Sequence, residues 1–118
     1  MPRWLVYHNP ACSKCRNALH ILREEGVEYD VVEYLEQAPG RADLERILAL
    51  LPDPPAELVR KDKHFQELGL DAADYQTPEA VIDLLLEHPK LMQRPVVIRG
   101  ERARIARPSE KVRELLED

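Results

Sequence analysis

The first 34 residues constrain the fold most. Trp4-Leu5-Val6-Tyr7-His8 is a run of bulky residues that suits a short strand, and Asn9-Pro10 ends it. From Ser13 to Glu25 the pattern turns helical. Cys15, Ala18, Leu19 and Leu22 fall at i, i+3, i+4 and i+7, one face of a helix. Gly26 is placed to close that helix, and Glu28 to Tyr34, with Val31 and Val32 inside, reads as a second strand. Strand, helix and strand in so short a span permit a parallel pair joined by a helical crossover.

The rest of the chain continues the alternation. Pro39-Gly40 is a turn, and Leu44, Ile47, Leu48 and Leu51 repeat the helical stripe until Pro52-Asp53-Pro54-Pro55 breaks it. Ala56 to Arg60 and His64 to Leu68 suit short helices joined by a charged linker, Lys61-Asp62-Lys63, and Gly69 stops the second. Thr77-Pro78-Glu79 is a helix start: a cap, a proline at the first position, an acid in the first turn. Val81, Leu84 and Leu85 supply its buried face, and His88-Pro89 ends it. Pro95 to Arg99 is strand-like, Gly100 turns the chain, and Arg102 to Ala106 can return as a hairpin partner. Pro108-Ser109 opens a last helix with Val112, Leu115 and Leu116 inward. The order is β-α-β, a helical insert at about 41–88, then β-β-α. It predicts one α/β domain over residues 1–118: a mixed sheet flanked by helices, its first pair parallel and its last an antiparallel hairpin. A Cys-x-x-Cys where the first strand meets the first helix, Cys12 to Cys15, is the thioredoxin-like signature.

Composition narrows the function. At 44% hydrophobic and 33% charged residues, the chain has a soluble globular balance. Its apolar runs are too short to span a membrane, and MPRWLVYHNP lacks the apolar core of a secretory signal, so a cytoplasmic protein is expected. A net charge of -5 argues against a nucleic-acid partner. Yet 12 of the 17 basic residues are arginine, whose forked guanidinium suits bidentate binding of tetrahedral oxyanions. Two cysteines in a cytosolic chain do not suggest a permanent disulfide. A zinc site would need two of His8, His20, His64 and His88, and no two of these stand at ligand spacing.

At the loop-to-helix junction Cys12 would face the free N–H groups of a first helical turn and the positive end of its dipole. Lys14 and Arg16 adjoin it. Such a thiol should ionise more readily than a free one and act as a nucleophile. Cys15 lies on the same side of the helix but within the apolar stripe. Spacing leaves two readings open: a resolving thiol that pairs with Cys12, or a small residue packed beneath it.

YHNPACSKCRN (Tyr7 to Asn17), LVRKDKHFQELGL (Leu58 to Leu70), HPKLMQRPVVI (His88 to Ile98) and ARPSEKV (Ala106 to Val112) together resemble, in order, the motifs of the glutaredoxin-linked arsenate reductases, the ArsC family. The resemblance covers nearly the whole chain. It implies a thioredoxin-like fold, with Cys12 as nucleophile and Arg60, Arg94 and Arg107 holding the oxyanion. It further implies His8 as a modulator of the nucleophile and Pro95 as a cis-proline facing the site. The substrate implied is arsenate; the reductants are glutathione with glutaredoxin or thioredoxin, with no bound cofactor or metal, in a monomer. The departure is Cys15, where an arsenate reductase of the family carries a serine. A thiol donates a weaker hydrogen bond, or could itself attack the adduct. Two relatives of this family lack the ARPSE segment. One is a glutathione-linked thiol-disulfide reductase without arsenate activity. The other is the Spx-type redox regulators that bind RNA polymerase. Arg107-Pro108-Ser109-Glu110 therefore favours the enzyme.

Overall fold

A computed structural model describes residues 4–116. Four strands form one sheet: β1 (Trp4–His8), β2 (Tyr29–Glu33), β3 (Val96–Arg99) and β4 (Arg102–Ile105), in the order β2-β1-β3-β4. β1 and β2 are parallel, with Val6 opposite Val31, and β3 runs antiparallel to both β1 and β4. The crossover between the parallel strands is α1 (Ser13–Glu24). Gly26 ends it with a φ of 71°, a left-handed conformation that costs glycine least. The insert holds α2 (Arg41–Leu50), α3 (Lys63–Glu67) and α4 (Pro78–Glu87), with three short 3-10 turns, Pro55–Leu58, Ala72–Asp74 and Pro89–Leu91. Thr77 caps α4 by accepting from the Ala80 N–H at 3.2 Å.

Strand alternation builds two hydrophobic layers. On one face Trp4, Val6 and Val97 meet Ala18, Leu19 and Leu22 of α1, with Val112 and Leu115 from the C-terminal segment. On the other, Tyr7, Val96 and Ile98 meet Leu44 and Ile47 of α2 and Val81 and Leu85 of α4. The central strands β1 and β3 are therefore covered twice, which is why their sequences read as nearly continuous apolar runs. Because β1 alternates, His8 shares a face with Trp4 and Val6, beneath α1.

β2 falls within the expected Glu28 to Tyr34 and lies at the sheet edge, with a neighbour on one side only; Val31 is 38% exposed and Val32 only half-buried. Three expectations are corrected. The last helix is a 3-10 segment, Ser109–Leu115. Its buried residues, Ser109, Val112 and Leu115, recur every three positions, the period of a 3-10 helix. Arginines of the hairpin take its final carbonyls: Arg99 donates to the Leu115 oxygen and Arg102 to that of Glu114. Leu116, expected inward, is half-exposed. Thirdly, Lys61-Asp62-Lys63 is no simple linker. Asp62 caps α3 by accepting from the Phe65 N–H at 3.2 Å, and the helix proposed for Ala56 to Arg60 stops at Leu58.

Leu22 is fully buried where α1 meets the sheet. Leu22→Ala should lower the free energy of urea unfolding by about 2–5 kcal/mol. A loss under about 1 kcal/mol would contradict this packing.

Candidate active site

The site gathers at the carboxyl edge of the parallel pair, where the loops after β1 and β2 emerge side by side. Asn9 shapes the first loop. Its Oδ1 accepts from the Ala11 N–H at 3.0 Å, and its carbonyl accepts from the Cys12 N–H at 2.9 Å. Cys12 is then the N-cap of α1, with extended backbone. A capping residue normally offers an oxygen to the first-turn N–H groups; here a sulfur occupies that place.

Burial alone would raise the Cys12 pKa. Four donors outweigh it: the Cys15 N–H, the Arg94 guanidinium, the Cys15 thiol and the Lys14 N–H bring it down to about 7. Each of these groups favours the anion over the thiol. Cys15 has the opposite setting. It is fully buried, and burial pushes its pKa up to about 12 although the Asn9 N–H faces its sulfur. Cys15 is therefore a thiol at neutral pH and donates to the Cys12 sulfur. Both cysteines are free.

The three arginines are joined through backbone. Arg60 follows a ladder in which Gln93 N–H donates to the Leu58 oxygen at 2.7 Å and Arg60 N–H to that of Leu91 at 2.6 Å, flanking a Val59–Met92 bridge. That ladder lays the first arginine segment along the second. The Arg60 side chain meets the Asp62 carboxylate at 3.2 Å. Arg94 reaches Cys12 directly. Arg107 donates from its guanidinium to the Arg94 carbonyl at 2.9 Å, while its backbone neighbour Ala106 N–H donates to the Pro95 oxygen at 2.9 Å. Of the three guanidiniums, Arg94 stands against the thiol. Arg60 is turned to Asp62, and Arg107 braces the Arg94 main chain and faces a separate cleft with Gln93 and Lys111. The Arg94–Pro95 bond is cis, and so is Arg107–Pro108, which the sequence did not single out.

A cleft of about 280 Å³ opens at Arg94, lined also by Asn9, Tyr34, Leu35, Asp62, His64 and Lys90; Cys12 is not part of the lining and meets the cleft through the Arg94 guanidinium. His8 lies outside that lining. Its imidazole is buried and its Nδ1 has no partner. Burial lowers its pKa, which Glu33 opposes and Arg16 and Arg23 reinforce. His8 is thus a neutral imidazole at pH 7, so any influence on Cys12 comes through packing rather than charge. Among the described residues no group of three or more His, Cys, Asp or Glu side chains is gathered to hold a metal ion. Likewise, no helix is long and apolar enough to cross a membrane.

Sequence reasoning missed three contributors. Ser109 is buried and donates from its hydroxyl to the Lys14 oxygen at 3.0 Å, tying the ARPSE segment to the first turn beneath Cys12. Asp62 and Tyr34 complete the list. Tyr34 carried a readable signal: it follows a strand parallel to the one that delivers the cysteine.

The rate of Cys12 alkylation by iodoacetamide should rise with pH to a midpoint near 7, because only the thiolate reacts. Arg94→Ala removes a cation from beside the anion and should raise that midpoint by about one unit. Native Cys15 should stay unmodified; its alkylation at the rate of Cys12 would contradict the burial described.

The ArsC family model matches residues 7–115 of this chain. An Escherichia coli (strain K12) arsenate reductase is 41% identical over 96% of this chain and 80% of its own length. Uncharacterized protein YfgD of the same organism is 44% identical over 94% of both. The solved structure of an arsenate reductase from Vibrio cholerae superposes with a TM-score of 0.84 at 36% identity, covering 95% of this chain and 96% of that one. With four motifs in order, a matching mixed sheet and similarity across nearly its full length, the chain belongs to the ArsC family.

Proposed function

We propose that the protein is an arsenate reductase in which Cys12 is the nucleophile. The observation that carries this reading is a thiol with a pKa near 7, set on a helix N-terminus with a guanidinium against it. A thiolate attacking an arsenate anion meets like charge. Arg94, with the first-turn N–H groups, offsets that repulsion and stabilises the negative charge that builds on the arsenate oxygens. Arg60 joins them once Asp62 yields it to substrate. Arg107 acts by holding the Arg94 backbone in place and lends its charge from the flank.

In the first step the Cys12 sulfur bonds arsenic(V) and a protonated oxygen leaves as water. Glutathione then displaces a second oxygen, again as water, giving an adduct with two sulfurs on arsenic. The thiol of glutaredoxin attacks the glutathione sulfur. The As–S bonding pair remains on arsenic, which becomes arsenic(III), and a mixed disulfide departs. Hydrolysis of the Cys12–arsenic bond releases arsenite and restores the thiol. All electrons come from external thiols, so no bound cofactor or metal is required of the protein. Working as a monomer in the cytoplasm, where glutathione is abundant, fits these needs.

The Cys12–Cys15 thiol contact favours a second reading, in which Cys15 resolves the adduct and thioredoxin regenerates the pair. Burial of Cys15 argues for the first. With glutathione as reductant, Cys15→Ser should keep turnover within about threefold, because serine still donates to the thiolate. Loss of activity supported by thioredoxin in that variant would instead assign Cys15 the resolving role.

Arsenite production from arsenate, glutathione, glutaredoxin and NADPH tests the reading. Turnover should vanish in Cys12→Ser. In the wild type, kcat/KM should fall about tenfold per pH unit below the thiolate midpoint near 7 and level off above it. Wild-type inactivity, or activity that survives Cys12→Ser, would defeat the proposal.

A further inference from the structure

Tyr34 is a fully buried phenol whose Oη has no hydrogen-bond partner. A buried hydroxyl without a partner costs about 1–3 kcal/mol, so its persistence calls for an explanation. The surroundings supply one. Tyr34 lines the cleft at Arg94, in the loop after β2 that emerges next to the loop carrying the cysteine. The group pressed against it is the Arg94 guanidinium. A guanidinium has donors and no acceptor, so it can approach the phenol oxygen but cannot take the phenol proton. Arg94 Nε is likewise buried and unpartnered, and so is one terminal nitrogen of Arg60, the residue held by Asp62 at the same cleft. Two unclaimed donors, the Tyr34 hydroxyl and the Arg94 Nε, thus lie at one cleft.

We propose that Tyr34 is a substrate-contacting residue: its O–H donates to an oxygen of the oxyanion bound between Cys12 and Arg94. The inference rests on the oxyanion reading of this site and adds a neutral donor to the charged ones. A phenol suits the role. Burial and the nearby sulfurs hold its proton on, against the pull of Arg94. It therefore keeps its proton to donate at neutral pH, where Cys12 ionises.

Tyr34→Phe keeps the ring in the core and deletes the hydroxyl alone. The phenol proton has no acceptor in the fold to lose, and Arg94 keeps its other contacts, so the melting temperature should change little. Two readouts are compared with the wild type. The first is protection of Cys12 from iodoacetamide by increasing arsenate, which reports binding without turnover. The second is the steady-state rate of arsenite formation. The apparent arsenate Kd and the KM should both rise about 10- to 100-fold, the range for a hydrogen bond to a charged group. The pH midpoint of Cys12 alkylation without arsenate should stay put. A Kd and KM within about twofold of wild type would overturn the proposal. So would a moved midpoint with an unchanged Kd, since the phenol would then act only by placing Arg94. If the wild type is neither protected by arsenate nor able to reduce it, the oxyanion reading itself fails and takes this inference with it. That result differs from a loss confined to the variant.

Discussion

The first turn of α1 holds the site together electrically. Its N–H groups have no partners within the helix, and they point at the Cys12 sulfur. This one arrangement lowers the thiol into the range where it ionises at neutral pH, and it requires everything around it to stay in register. Asn9 bends the chain so that the sulfur sits at the cap. Cys15, one turn along, is packed in the core and so remains a thiol that donates to its neighbour. Ser109 grips the Lys14 carbonyl from the far end of the sequence.

Arg94 is the second half of the site, and the fold places it by main-chain contacts rather than by side-chain pairing. The Leu58–Arg60 ladder runs along one side of its segment, and β4 runs along the other. Arg107 fastens its carbonyl. The consequence is a cation delivered to the thiolate with its Nε still unclaimed. A surface ion pair would have spent that donor on a carboxylate, and the buried setting makes the charge count for more than it would in water. The helical insert thus does more than fill one face of the sheet: it contributes Arg60, Asp62 and one wall of the cleft.

Much of this was legible in the residues. Bulky runs broken by Asn-Pro, Gly and Pro-rich turns gave strands and helices close to those observed, because β1 and β3 are buried on both faces and α1 has one clean apolar stripe. Cys12 was legible as a helix cap because the strand ends at His8 and the helical stripe begins just after it. Less legible were contacts whose meaning is tertiary. Asp62 read as part of a charged linker, since a cap is visible only once the helix after it is known. Tyr34 read as the end of a strand; nothing local reveals that a guanidinium from sixty residues away lies over its hydroxyl. The C-terminal segment read as an α-helix because Val112, Leu115 and Leu116 fit either period. The relative positions of three arginines could come only from resemblance, and the structure distinguishes them: one on the thiol, one on a carboxylate, one bracing the first.

The proposed chemistry depends on a bond between the Cys12 sulfur and arsenic. Arsenic K-edge X-ray absorption tests it directly, on protein frozen soon after mixing with arsenate and glutathione. Arsenic in the wild type should have a sulfur neighbour that disappears in Cys12→Ser. Arsenic surrounded only by oxygen in the wild type, or the same sulfur signal in both proteins, would contradict it.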